Sequence, residues 1–324
     1  MNSAMNAIKR TVAPVFQNLS FISGISRYKT LGIPAARVFM FHGVGGPDCQ
    51  ADIFESQMKY LRTNFSVISL REALTISGDA ARNFRTEIVL TFDDGLRNNY
   101  TIAYPILRRY ALPATFFVCP GLIESRTWQW AHEMEQRLLG CKPGNLKKII
   151  AQLGTGEQEL KGNNSGDIAE KIVEHMKTME NNRRIGTEHL IRSLTQDFET
   201  AQQQHDLYDT MSWEELKSLD PALITIGSHT VHHPVLTRLP YEEMRYQIQE
   251  SKQWLQRRLN RPIDFFCYPN GDYDESAAQV VAQNYKAAVT TKAGYFDKGD
   301  DVYQINRIPA PDKLPLFAWR MFRP

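Results

Sequence analysis

Cysteine is scarce in this sequence: Cys49, Cys119, Cys141 and Cys267 stand far apart with no C-x-x-C pair. That spacing suits free thiols in a reducing compartment better than a disulfide framework. An excess of one charge is also missing. The chain carries 38 Lys and Arg against 36 Asp and Glu, a formal net charge of +2. No basic footprint for nucleic acid or another polyanion results. Long hydrophobic runs are absent as well. No stretch reaches the roughly 18 apolar residues a membrane-spanning helix needs, and the longest, ALPATFFVCPGLI, is broken by Pro113, Pro120 and Gly121. At the N-terminus polar and basic residues interrupt every apolar stretch, and Pro14 breaks the only candidate secretory segment. The expectation is a soluble protein, cytoplasmic or peripheral to the inner membrane, with no transmembrane segment and no nucleic-acid partner. The first 30 residues are weakly amphipathic. They read either as a helix packed outside the main domain or as a segment resting on a membrane or a polysaccharide-assembly partner.

What is present is a chain of 324 residues, 42% hydrophobic, enough for one large domain. RVFMFHG (residues 37–43) and EIVLTFDDG (residues 87–95) are short apolar runs that end in polar residues, the pattern of buried strands with functional groups at their C-terminal ends. The second is followed by a helical stretch stopped by Pro113 and then by the β-rich ATFFVC, a β-α-β unit. ITIGSHT, DFFCYPNG and KAAVTT repeat the strand pattern between helix-like stretches. Ser212 and Glu215 form a predicted capping box, and Pro240 opens a long helix. Such alternation predicts a parallel α/β sheet or barrel whose functional groups cluster at one rim. From about residue 121 to 211 strand signals vanish, which predicts a helical insertion. The expected division is an N-terminal helical extension (1–34), a barrel (35–311) and a C-terminal tail (312–324).

Asp93 and Asp94 are adjacent carboxylates at the end of an apolar run. They either cap the next helix or divide labour, one binding a cation while the other acts as a base on water. His229 and His233 follow ITIGS and are four residues apart. On one helical turn they would present neighbouring imidazoles, as paired zinc ligands do. With one carboxylate they make an Asp-His-His set that leaves a position open, the arrangement of a catalytic metal site. Such a set suits Zn, Co, Ni or Mn, with Zn as the default. His232 falls elsewhere on that turn. Trp128 and Trp130 either pack internally or stack on a sugar ring.

These motifs resemble the polysaccharide deacetylases of carbohydrate esterase family four, the NodB homology domain. T-F-D-D-G is complete at Thr91 to Gly95 and H-T-V-H-H-P at His229 to Pro234. The resemblance spans most of Val38 to Pro309. It implies a distorted (β/α) barrel with a helical insertion, Asp93 as catalytic base, and Asp94, His229 and His233 as ligands of a divalent metal. It also implies hydrolysis of N-acetyl groups from an N-acetylhexosamine in a bacterial surface polysaccharide or lipid-linked glycan.

The third family motif, R-P-P-Y-G, departs here to Cys267-Tyr268-Pro269-Asn270-Gly271. This matches the F-x-Y-P-x-G branch, which resembles poly-N-acetylglucosamine deacetylases, and it places the backbone N–H of Asn270 at the oxyanion. The arginine that pairs with the catalytic base is absent from position 267, and Arg307 in INRIPA is the replacement candidate. No histidine follows His233, so the usual proton donor is missing and His42 is the candidate in its place. His132, His175, His189 and His205 fall in the insertion and fit that role less well. Two alternatives accompany the enzyme reading: a non-catalytic metal- and glycan-binding protein on the same fold, and a hydrolase for a different amide.

Overall fold

The computed structural model describes residues 13–47, 49–79, 84–154, 162 and 164–324. Eight strands form one sheet: β1 (Arg37–Phe41), β2 (Ser66–Val67), β3 (Glu87–Phe92), β4 (Ala114–Val118), β5 (Ile224–Ser228), β6 (Phe265–Cys267), β7 (Ala287–Ala293) and β8 (Ile305–Pro309). All pairings between them are parallel. The order runs from β3 through β4, β5, β6, β7 and β8 to β1, and β1 pairs back onto β3, closing a seven-stranded barrel. β2 adds to the first two residues of β3. This is the distorted (β/α) barrel that the family resemblance implies, and it settles the choice between sheet and barrel that the alternation of strands and helices leaves open.

Strands buried on both faces read as continuous apolar runs, and every residue of β3 and β4 is buried. The period-2 alternation of a strand still sorts the side chains. Phe39, Phe41, Leu90, Phe92 and Phe116 point outward into the layer beneath the helices. There Phe41 stacks on Phe92 at 5.0 Å and meets Phe54 edge-on at 5.4 Å. Val38, Val89, Phe117, Phe265, Val289 and Ile305 share a second cluster inside the barrel, closed by Leu70, Phe84 and Phe296. Each large apolar side chain so buried contributes about 1.5–3 kcal/mol before entropy is counted. The interior parity of β1 and β3, continued past the strand ends, reaches His42 and Asp93.

Local signals end the elements where the sequence suggests. Ser212 Oγ accepts from Glu215 N at 3.2 Å, and Glu215 Oε2 accepts from Ser212 N at 2.8 Å. The helix Tyr104–Tyr110 stops at Ala111, in left-handed backbone, before Pro113. Between β4 and β5 the described residues contain helices and no strand of the sheet, with one isolated bridge from Thr210 to Leu96. They build a core of their own around Trp130, Met134, Ile172, Met176 and Ile191.

Candidate active site

The barrel brings the ends of β1, β3, β5 and β6 to one rim, around a cavity of about 300 Å³ lined by His42, Asp93, Asp94, His229, His233 and Asn270. Gly95 gives the two carboxylates their turn. Its φ is +67°, and a Cβ there would lie 2.9 Å from Val118 Cγ1. Left-handed backbone recurs at the site in non-glycine residues: Asp94 (φ 68°), Thr230 (67°), His233 (56°) and Asn270 (55°). Such conformations cost about 1–3 kcal/mol each and persist only when neighbours enforce them.

The enforcement at His229 and His233 is visible, and it corrects the sequence expectation of a helical turn. The segment after β5 is an irregular loop, because His233 precedes Pro234 and a residue before proline disfavours the right-handed helix region. Thr230 clasps the loop: its Oγ1 donates to the His229 carbonyl and accepts from His233 N at 3.0 Å. Gln247 Oε1, from the helix Tyr241–Leu259, accepts from the N–H groups of Val231 and His232 at 3.0 and 3.1 Å. The two rings still meet, 4.7 Å between centroids. His232 turns away toward Gly121.

Each imidazole is oriented through its far nitrogen. His229 Nδ1 lies 2.7 Å from the Cys267 carbonyl, and His233 Nδ1 lies 2.8 Å from Gln129 Nε2. Their Nε2 atoms stand 3.6 and 3.4 Å from Asp94 Oδ1. Asp94 Oδ1 is buried and has no hydrogen-bond partner, a costly state for a carboxylate oxygen unless a cation compensates it. Burial lowers the His233 pKa to about 3, with His229 adding to the effect, so its imidazole is neutral at pH 7, as a metal ligand must be. A second donor set, Asp93, His229 and Cys267, also converges. It fits a cation less well: burial pushes the Cys267 thiol pKa well up, and both Asp93 oxygens are already engaged.

They are engaged by Arg307, which is fully buried. Its Nη1 and Nη2 donate to Asp93 Oδ1 and Oδ2, each at 2.7 Å, and Nη1 also donates to Thr91 Oγ1 at 3.0 Å. Burial alone would raise the Asp93 pKa. The charge and hydrogen bonds of Arg307 outweigh it and hold the carboxylate below its ordinary range. Neither Asp93 oxygen nor the orphaned Asp94 Oδ1 caps a helix. Asn270 sits above β7, where Gly271 (φ +73°) leaves no room for a Cβ: it would lie 1.9 Å from Thr291 Oγ1. The Asn270 side-chain Nδ2 is buried without a partner.

The insertion contributes more than the sequence suggests. His132 is half-buried beside Asp94 and lines the cavity with Glu170, Glu174 and Lys177. Gln129 caps the helix Trp130–Leu139 while reaching His233. Trp130 packs inward, its Nε1 donating to the His233 carbonyl at 3.1 Å. Trp128 donates to Asp209 Oδ1 at 2.7 Å.

The sequence profile of the polysaccharide deacetylase family matches residues 82–145 and 169–288, more than half of the chain. The chain belongs to the polysaccharide deacetylase family. YxkH of Bacillus subtilis (strain 168), named as a polysaccharide deacetylase, is 20% identical over 257 residues. That alignment covers 79% of this chain and 63% of YxkH, so the chain spans under two thirds of this curated relative. Among solved structures, the deacetylase PplD of Streptococcus pyogenes, in complex with acetate, superposes with a TM-score of 0.60 at 19% identity, covering 90% of this chain and 100% of PplD. IcaB from Ammonifex degensii gives 0.58 at 17% identity, over 89% and 98%. The deacetylase domain of BpsB from Bordetella bronchiseptica gives 0.53 at 17%, over 86% and 95%. These likenesses show the fold. The family is metal-dependent in general, and the described residues hold groups able to bind a metal.

Proposed function

We propose that the protein is a metal-dependent N-deacetylase acting on an N-acetylhexosamine of a bacterial surface polysaccharide or lipid-linked glycan. The observation that carries the reading is a division of labour between neighbouring aspartates. Asp93 is held ionised by a bidentate arginine, while Asp94 offers an unpartnered oxygen to two imidazoles. Family membership and the acetate bound to PplD support it.

In this reading Asp94, His229 and His233 hold a divalent ion, with Zn the first candidate and Co, Ni or Mn alternatives. When bound, the ion polarises the amide carbonyl and acidifies water. Asp93 takes the proton of the water that attacks the carbonyl carbon. Arg307 positions Asp93 and keeps it a base. The Asn270 amide, backbone N–H first, stabilises the developing oxyanion. His42 delivers a proton to the nitrogen as the C–N bond breaks, leaving acetate and a free amine. His132, on the same cavity, is a second imidazole within the site. Arg307 removes one motive for the non-catalytic reading, the missing arginine of the third motif.

The test is acetate release from chitooligosaccharides and poly-N-acetylglucosamine fragments, chelated and then reloaded with each metal. Release restored by metal supports the proposal. Glycan binding with no acetate from any loaded form overturns it. For the proton donor, His42→Gln should reduce amide hydrolysis roughly 10²-fold while sparing an activated acetate ester, which needs no acid. Equal losses on both substrates refute His42, and the same pair of assays on His132→Gln then decides between the imidazoles.

A further inference from the structure

The end of the barrel opposite the site carries a surface the deacetylase reading leaves unused. Residues 13–22 are helical, and Gly24, in left-handed backbone, joins them to the helix Ile25–Leu31. The second helix packs against the starts of β1 and β3. There Arg37 Nη2 donates to the Thr30 carbonyl at 3.1 Å, and Thr86 Oγ1 donates to the Ile33 carbonyl at 3.4 Å. The site lies at the other ends of these strands.

Both helices are inside out. A surface helix normally turns its apolar stripe inward. Here the buried residues are hydroxyls: Ser20, Ser26 and Thr30, with Ser20 Oγ and Ser26 Oγ 2.8 Å apart. The first helix exposes Val15, Phe16, Leu19 and Ile22, the last 79% accessible. The second exposes Ile25, Leu31 and Tyr28, the last 81% accessible. These seven are most of the ten exposed large hydrophobic residues among those described. A contiguous apolar face of this kind marks a contact with a partner or a membrane.

Charge identifies the occupant. The chain as a whole is balanced, yet residues 1–47 contain Lys9, Arg10, Arg27, Lys29 and Arg37 and no Asp or Glu. Arg27 and Lys29 are exposed on the same helix as Ile25, Tyr28 and Leu31, with Lys29 Nζ 5.5 Å from the centre of the Phe322 ring. Apolar side chains interleaved with cations and free of acids match an anionic bilayer surface, where the apolar groups enter the headgroup boundary and each cation meets negative potential. No described helix is long and apolar enough to cross a membrane, so the contact is peripheral. We propose that residues 13–31 seat the protein on an anionic lipid surface with the mouth of the active site directed away from it.

The experiment is co-sedimentation of the full-length, metal-loaded protein with vesicles of phosphatidylcholine alone or with about a third phosphatidylglycerol. The expected result is partition into the anionic vesicles, weak binding to the neutral ones and release by salt. Leu19→Gln with Ile22→Gln should lower partition about tenfold or more. Arg27→Glu with Lys29→Glu should lower it on anionic vesicles only. Acetate release from a soluble oligosaccharide should be unchanged in both double variants, which separates this inference from the reading of the site. Absence of vesicle binding, or binding indifferent to both pairs, overturns the proposal. So does a dimer in analytical ultracentrifugation that Leu19→Gln with Ile22→Gln dissociates, because the face then belongs to a second copy.

Discussion

Among the described residues two guanidinium groups are completely buried in this barrel, one at each end. Arg307, at the rim that holds the site, faces a carboxylate. Burial works against its charge, but Asp93 and the Cys267 sulfur outweigh the penalty and its pKa rises. Arg37, at the opposite end, is met by backbone carbonyls. Its Nε donates to Met321 O at 2.9 Å, Nη1 to Ile33 O at 2.7 Å and also to Ala35 O, and Nη2 to Thr30 O. Carbonyl dipoles compensate a buried cation less fully than an opposite charge does, and burial drives its pKa down to about 10. It stays charged at neutral pH. The same side chain thus does two kinds of work. A carboxylate partner makes one arginine a control on a reactive group. Carbonyl partners make the other a rivet between the N-terminal helix, the first strand and the C-terminal segment.

The comparison breaks most sharply at Asp93. Asp93→Asn should retain metal, measured by elemental analysis, and lose about 10³-fold or more of acetate release. Loss of the metal with the activity would mean that Asp93 is a ligand and Arg307 no control on a base. Next in size, Arg37→Met should strand the carbonyls of Thr30, Ile33, Ala35 and Met321. It should cost about 3 kcal/mol in urea unfolding while leaving kcat within about twofold. A kcat loss without a stability loss would erase the distinction between the two ends.

Acid should expose the charged rim in a smaller way. His233 titrates near 3 when folded and near 6.5 when unfolded. The unfolded chain therefore takes up the proton first, and stability is complete above pH 6.5 and falls as pH drops toward 3. In chelated protein about 2 kcal/mol should be gone by pH 5, at about 1.4 kcal/mol per pH unit. His233→Gln should flatten that dependence in thermal melts, and an unchanged slope would place its source elsewhere. The smallest effect is expected at Thr230. Thr230→Val removes the clasp between His229 and His233 and should cost about 1 kcal/mol, with weaker metal retention in competition with a chelator. Thr230→Ser, which keeps the hydroxyl, should restore metal retention.

Much of this site was legible because strand ends announce themselves. Apolar runs closing in Asp93, Asp94 and His229 place those residues at one rim of a parallel barrel, and the capping box at Ser212 marks a helix start that the structure contains. Less legible was how His229 and His233 meet. Four-residue spacing suggests a helix, yet Pro234 and a left-handed His233 make a loop, and the clasp by Thr230 and Gln247 depends on a helix that comes later in the chain. His132 and Gln129 were hidden differently. Nothing local shows that the helix Trp130–Leu139 of the insertion folds back over the rim.

The sequence by itself determined the strand and helix pattern, a parallel sheet or barrel and the chemical types gathered at its rim, because burial and periodicity act over a few residues at a time. The tertiary structure decided the pairings: Arg307 with Asp93 across 214 positions of sequence, Gln129 with His233, and Arg37 with the carbonyls at both ends of the chain. It also decided that the N-terminal helices turn Ser20, Ser26 and Thr30 inward and most of their apolar side chains outward, with Phe21 packed on Tyr60. A buried charge can be stabilised by any partner that closure of the barrel brings within hydrogen-bond reach, and that reach is set by topology rather than by neighbouring residues.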